Sequence, residues 1–291
     1  MGARDDQAGA RAGHDDPFAH EVVVGRRREL VPPAQRAVVG DRPEVQTRER
    51  RVPLDTSFGP FVVERTGAID VLGVNRPVDG PSALSIATSA AGGWTIDSFD
   101  PEGTEGDQMA IVLAPDGVLH VAYLAEAPGG NELRCAVRGA AGWSIDVVTD
   151  RALDGQVALA VDGAGKRHVG AIGLDGAIYA TDASGSWVVE PIDPGNGGFG
   201  IGLALDRDGR PHVAYGVLGW SLDVDLRYAH RTGSGWVREE VREGALHNGD
   251  AFRFGLDDTG VAHVVYGSTH ATDLGGAPPD GIDQDCDGVD G

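Results

Sequence analysis

The last twelve residues of this 291-residue chain have the spacing of a cation-binding loop. They read DGIDQDCDGVDG (280–291), with three aspartates at alternate positions followed by Gly288 and then a fourth aspartate. Carboxylate oxygens at alternate positions, with glycine where the chain bends sharply, suit Ca²⁺. The bidentate acid that closes such loops would be residue 294, so we expect Ca²⁺ binding that is weak or is completed by groups outside this sequence, with an acidic, disordered tail as the alternative. The predicted ligands are Asp283, Asp285, Asp287 and Asp290.

Polar residues also recur just before a strand-like run at several places. The segments read GDQ (106–108), DGQ (154–156), GFG (198–200) and NGD (248–250). Their side chains would offer hydrogen-bond acceptors to a ligand, although turn formation alone would also explain them. Trp220 lies outside the regular tryptophan positions and is a further candidate contact. The candidate ligand-binding residues are Asp107, Gln108, Asp154, Gln156, Asp250 and Trp220.

A glycine-centred module recurs five times along the chain. Three copies read LAVDGAGKRHVGA (159–171), LALDRDGRPHVAY (203–215) and FGLDDTGVAHVVY (254–266), and the central glycines of the five lie 50, 48, 44 and 51 residues apart. A run ending in small residues and Trp follows each of the first four copies, as in LRYAHRTGSGW (226–236). This period indicates one supersecondary unit that buries its faces by stacking on copies of itself.

Each period predicts four antiparallel strands. The LALD-type run is strand one, the D-x-x-G segment is a turn, the HVAY-type run is strand two, and the run ending in Trp begins a hairpin of strands three and four. The fold class is therefore all-β, a β-propeller of four-stranded antiparallel blades, with five blades favoured. Because the last copy supplies only two strands, RAVVG (36–40) and TRERRVP (47–53) would close the ring; an open array is the alternative.

The pattern gives four predicted segments. We expect a disordered N-terminal arm at 1–35, because it has little to bury, and a β-propeller at 36–268. A linker at 269–279 and the Asp-rich tail at 280–291 would follow.

The repeated histidines are candidates for a metal site or for packing. His120, His168, His212 and His263 occupy one position of the module, where the first copy has Asp70. A ring of imidazoles could bind a metal, but strand-two side chains should face the neighbouring blades. We therefore expect buried histidines that hydrogen-bond between blades.

The formal net charge of −21 argues against nucleic-acid binding, because such a surface repels phosphate. No apolar run reaches transmembrane length, and the N-terminal residues lack the apolar core of a secretory signal. We expect no membrane insertion and a monomer.

The LALDRDGRPHVAY and DLRYAHRTGSGW runs resemble the repeats of bacterial extracellular β-propeller proteins of BNR or sialidase-like form. The tail resembles the calcium loops of thrombospondin type-3 and dockerin repeats. The first resemblance implies a location outside the cell or in its envelope, although the sequence shows no signal peptide. The D-x-x-G-x-x-H-V run departs from the sialidase Asp-box, which weakens a transfer of glycosidase activity.

No nucleophile motif, phosphate-binding loop or zinc pair is present, so non-catalytic binding is favoured over an enzyme. The leading expectation is a recognition propeller for a glycan or protein ligand, with Ca²⁺ as its cofactor. A sialidase-like hydrolase or lyase and a structural scaffold are the alternatives.

Overall fold

The computed structural model describes strands, turns and connecting residues, all inside the compact unit Arg50–Gly291. No helix in the described part is long and apolar enough to cross a membrane. The described residues are 60–77, 79, 82–90, 93–102, 108–128, 130–150, 153, 155–173, 175–218, 224–246 and 252–266.

These residues form five successive sheets, which we number as blades 1 to 5. Blade 1 contains β1 (Phe61–Val63), β2 (Ile69–Asn75), β3 (Ala83–Ala90) and β4 (Gly93–Asp100). Blade 2 contains β5 (Met109–Leu113), β6 (Leu119–Ala125), β7 (Glu132–Gly139) and β8 (Gly142–Thr149). Blade 3 contains β9 (Val157–Val161), β10 (Arg167–Gly173), β11 (Gly176–Thr181) and β12 (Val188–Pro194). Blade 4 contains β13 (Ile201–Leu205), β14 (Pro211–Leu218), β15 (Val224–Thr232) and β16 (Gly235–Leu246), and blade 5 contains β17 (Phe252–Leu256) and β18 (Ala262–Tyr266).

Each complete blade is an antiparallel meander in chain order. The first strands of successive blades lie side by side, from β1 through β5, β9 and β13 to β17. Four-stranded sheets that follow one another around their first strands form a β-propeller, so the predicted fold class is confirmed. Blade 5 has two described strands. The segments predicted to close the ring, 36–40 and 47–53, lie outside the described residues.

The turn between strands one and two is fixed by an aspartate, as the D-x-x-G pattern predicts. Asp206 Oδ1 accepts hydrogen bonds from the main-chain N–H groups of Asp208 and Arg210, each at 2.8 Å. Gly209 follows with a φ of 77°, which is left-handed backbone that glycine adopts without strain. Asp162 and Asp257 make the same bonds in blades 3 and 5.

Apolar side chains fill each junction between blades. Leu72 and Ile86 of blade 1 pack with Val121 of blade 2, and Val213 of blade 4 packs with Ile192 of blade 3. Two aromatic side chains in these junctions, Tyr123 and Tyr215, are fully buried. Because each blade buries its faces only against its neighbours, the junctions carry the hydrophobic stabilisation of the fold.

A β-bulge recurs between strands three and four of every complete blade. In blade 1 the register shifts between Leu84 and Ser85, and in blade 3 it shifts between Ala177 and Ile178. Bulges re-aim the side chains that follow them. Here they lie next to Asp100 and Asp193, whose carboxylates reach into the next blade.

Candidate functional site

The meander gives the propeller two different ends. One end carries the connections between blades and between strands two and three, and we call it the loop end. The other carries the tight turns between strands one and two and between strands three and four, and we call it the turn end. The described residues of the predicted ligand-binding segments, which are 108, 155–156 and 198–200, directly precede a first strand, so they lie at the loop end.

Two of the predicted ligand-binding residues are described, and they occupy equivalent positions. Gln108 and Gln156 directly precede β5 and β9, and both are half-buried. Their main-chain carbonyls accept hydrogen bonds from Leu124 at 3.0 Å and from Ile172 at 3.3 Å. Both glutamines are therefore anchored through the backbone at the start of a first strand. Asp107, Asp154, Asp250 and Trp220 lie outside the described residues, as do Asp283, Asp285, Asp287 and Asp290.

An exposed aromatic ring stands beside this position in blade 4. Phe199 is 40% exposed, although its main chain is held firmly. Its N–H donates to the Gly216 carbonyl at 3.2 Å, and its own carbonyl accepts from the Gly216 N–H at 3.1 Å. A Cβ on Gly198 or on Gly216 would overlap the opposite backbone, so both glycines permit this close approach. Phe199 lies within the predicted segment 198–200, but no pattern in the sequence indicates that its ring is exposed.

Gly200 completes this part of the loop end. A Cβ built on it would lie 2.7 Å from the Phe252 ring and 3.6 Å from Gln156 Oε1. The amide of Gln156 therefore lies next to bare backbone, one residue from the exposed ring of Phe199. An aromatic face and an amide at the starts of neighbouring first strands are the features of a site for a polar, partly apolar ligand.

The turn end has a hollow of about 390 Å³ between blades 3 and 4, lined by residues 161–163 and 205–209. Its acids are already in use, because Asp162 Oδ1 and Asp206 Oδ1 hold their turns. Their second oxygens each lie 3.6 Å from a histidine Nε2, in His168 and His212. No group of three or more His, Cys, Asp or Glu residues in the described ranges is placed to hold a metal.

Two of the repeated histidines, His120 and His168, are buried as expected, whereas His212 is half-buried and His263 is exposed. The prediction that they hydrogen-bond between blades is wrong for His168 and His212. Nδ1 of His168 lies 2.5 Å from the Tyr179 hydroxyl, and Nδ1 of His212 lies 2.5 Å from that of Tyr228, each within one blade. Burial lowers the pKa of both histidines and raises the pKa of Tyr179 to about 12. Neutral imidazoles held between a turn and strand three serve the packing of the blade.

The bonds between blades are made by a different set of residues, which sequence reasoning missed. The Asp100 cluster joins blades 1 and 2: the Tyr123 hydroxyl donates to Asp100 Oδ2 at 2.5 Å, and Arg134 Nη1 donates to the same oxygen at 2.9 Å. Arg134 also contacts Glu102 and Glu132. Burial opposes the charge of Arg134, but these hydrogen bonds raise its pKa above the usual value.

The Asp193 cluster repeats this arrangement between blades 3 and 4. Asp193 Oδ2 accepts from Arg227 at 2.8 Å and from the Tyr215 hydroxyl at 3.2 Å, and Oδ1 accepts from Arg238 at 3.1 Å. Burial opposes ionisation, yet the bonds from Arg227 and Arg238 hold the pKa of Asp193 below its usual value. These clusters could have been predicted from an Asp-Pro pair at the end of strand four that is followed by Tyr and Arg in the next blade.

The junction between blades 2 and 3 uses other groups. Ala171 takes the place of the tyrosine, and Arg167 Nη2 binds Asp146 at 2.7 Å while its guanidinium lies 4.8 Å from the ring centre of Trp187. Cys135 is fully buried in the apolar cluster of this junction, and burial raises the pKa of its thiol.

No known family and no curated protein matches this chain. Solved structures with a similar arrangement include a protein of unknown function from Dyadobacter fermentans, with 12% identity and a TM-score of 0.45 over 70% of this chain and 73% of that one. A fucose lectin from Kordia zhangzhouensis has 18% identity and a TM-score of 0.35 over 46% of this chain and 99% of that one. An ulvan lyase has 12% identity and a TM-score of 0.47 over 67% of this chain and 60% of that one. At these identities and TM-scores no activity is transferred.

Proposed function

We propose that this chain is a non-catalytic recognition propeller that binds a glycan at its loop end. The observation that carries the proposal is the exposed ring of Phe199 on a fixed backbone, with the Gln156 amide near the adjoining residue. The apolar face of a sugar ring packs on an aromatic face, while its hydroxyls need donors and acceptors such as an amide. A backbone held by reciprocal hydrogen bonds loses little entropy on binding.

The charge around this end favours a neutral glycan. Among the described connecting residues of the loop end, five acids are exposed, against the exposed Arg76. These acids are Asp79, Glu102, Glu126, Asp150 and Asp175. An anionic sugar would be repelled by them and by the net charge of −21.

A hydrolase or lyase is the less supported alternative. Its acids, arginines and tyrosine would need to be open to substrate, whereas Tyr123 and Tyr215 are 0% exposed and bonded to buried carboxylates. Burial, together with those carboxylates, raises the pKa of both tyrosines, which opposes their use as nucleophiles. The two clusters fit a structural role between blades.

The resemblance of the repeats to extracellular bacterial propellers supports a role at the cell surface or outside the cell. A protein ligand would use the same exposed end. A pure scaffold would bind nothing there.

A glycan array tests the proposal. The full chain should bind neutral oligosaccharides, and Phe199→Ala and Gln156→Ala should each reduce the signal by about tenfold or more, as truncation of a central contact does. Val237→Ala, which removes a side chain of the same 40% exposure from the outer strand of blade 4, is the matched control. Binding that survives Phe199→Ala, or no binding to any glycan, would remove the support for this function.

A further inference from the structure

The loop end is not the same in every blade, and the difference is concentrated at Gly200. Gln108, Gln156 and Gly200 directly precede the first strands of blades 2, 3 and 4. Their equivalence is structural, because each carbonyl accepts a hydrogen bond from the fifth residue of the HVAY-type run, which is Gly216 in the case of Gly200. Two blades therefore present a glutamine where blade 4 presents bare backbone.

A side chain at position 200 would not fit without movement. The Gly200 φ is 74°, in the left-handed region that side chains seldom adopt. A Cβ would lie 2.7 Å from Cε1 of Phe252, which is 8% exposed and packs in the junction between blades 4 and 5. The absence of a side chain leaves the Gln156 amide facing the Gly200 backbone, and glycine at such a place allows a ligand to come close to the main chain.

The aromatic ring is also specific to blade 4 among the described equivalents. The position of Phe199 is taken in blade 3 by Gly155, where a Cβ would overlap the Ile172 carbonyl oxygen. The start of blade 3 therefore has the amide of Gln156 but no aromatic ring on the preceding residue. An exposed ring, bare backbone and a neighbouring amide coincide once in the described part of the chain, at the start of blade 4.

We infer that the propeller binds one glycan per chain, over Gly200 between the starts of β9 and β13, and that Gly200 is the residue that admits the sugar. The inference rests on the proposed function and adds the number of glycans bound per chain and the position of the binding site. Gly200 acts by leaving space, so a side chain there blocks the site directly and displaces Phe252 or Gln156.

The experiment compares two glycines of similar backbone conformation. Gly200→Asn adds a side chain that tolerates left-handed φ, and Gly209→Asn makes the same change at the turn end, where φ is 77° and nothing lies within 4 Å of a Cβ. Isothermal titration calorimetry uses three probes: methyl β-D-galactopyranoside, methyl α-D-mannopyranoside and methyl α-L-fucopyranoside. We expect a stoichiometry of about one for the unchanged protein, a loss of about tenfold or more for Gly200→Asn, and unchanged binding for Gly209→Asn.

The outcomes separate the two proposals. If none of the probes and no arrayed glycan binds the unchanged protein, the proposed function fails. If binding is present and lost in Phe199→Ala, but the stoichiometry is two or more or Gly200→Asn binds normally, the glycan function stands and the single site over Gly200 is wrong. The stoichiometry needs no variant, so the test holds even if Gly200→Asn does not fold.

Discussion

Removal of the Tyr123 hydroxyl tests whether the inter-blade clusters stabilise the propeller. Tyr123→Phe deletes a donor that lies 2.5 Å from a carboxylate oxygen of Asp100, between two residues that are 0% and 2% exposed. A hydrogen bond to a charged group contributes about 1.5–3 kcal/mol net. Asp100 keeps its bonds from Arg134 and from the Glu102 N–H, so we expect a loss of about 2 kcal/mol in the free energy of unfolding.

Tyr215→Phe is the matched comparison. Its hydroxyl lies farther from its acceptor, at 3.2 Å, and Asp193 keeps donors from Arg227, Arg238 and Asn196. The expected loss is smaller, about 1 kcal/mol, because the bond is longer and the acceptor is better satisfied without it.

Equilibrium unfolding in urea measures both losses, provided that the slope of free energy against denaturant is unchanged. The double variant Tyr123→Phe/Asp100→Asn should show coupling of about 0.5 kcal/mol or more, since the two groups are in contact. If Tyr123→Phe lies within about 0.5 kcal/mol of the unchanged protein, or if Tyr215→Phe costs more than Tyr123→Phe, the reasoning from burial and distance is wrong.

Three further predictions concern acid, packing and calcium. Burial lowers the pKa of His168 and His212 below the ordinary 6.5, so the folded state takes up fewer protons than the unfolded state as the pH falls. The free energy of unfolding should therefore be highest above pH 6.5 and decrease below it. Thermal melts followed by circular dichroism should show a smaller decrease in the midpoint with falling pH when both histidines are changed to Asn. Leu133→Ala, at a side chain that is 0% exposed, should cost about 2–5 kcal/mol, against little change for Val147→Ala at 52% exposure, by urea unfolding. Excess Ca²⁺ over EDTA should raise the thermal midpoint of the full chain, and deletion of 280–291 should abolish the rise; an equal rise without the tail would place the metal elsewhere.

The sequence was a good guide to the blades because their pattern is local. Alternation in LALD, the aspartate–glycine turn and the tryptophan hairpin each depend on residues a few positions apart, and Asp206 makes the turn that its spacing predicts. Gln108 and Gln156 occupy equivalent positions at the starts of β5 and β9 for the same reason.

Contacts between blades could not be predicted from local sequence patterns. Asp100 bonds to Arg134, which is 34 positions away in the sequence, and the direction of the Asp100 side chain depends on a bulge in strand four. The histidines illustrate the reverse error, since their regular spacing predicted bonds between blades, whereas Nδ1 of His168 bonds to a tyrosine of the same blade. The exposure of Phe199 depends on a close approach to Gly216 that no local pattern encodes.

The carboxylate clusters alternate along the chain, with Asp100 between blades 1 and 2 and Asp193 between blades 3 and 4, while Ala171 takes the tyrosine position in blade 3. In a stacked array, stability is a sum of terms within units and terms between neighbours. If the buried carboxylate clusters outweigh the Arg167–Asp146 ion pair and the apolar contacts between blades 2 and 3, the blades group into pairs and the cooperative unit of unfolding is two blades long. Amide hydrogen exchange would then show blades 1 and 2 opening together and blades 3 and 4 opening together, with the boundary at Arg167.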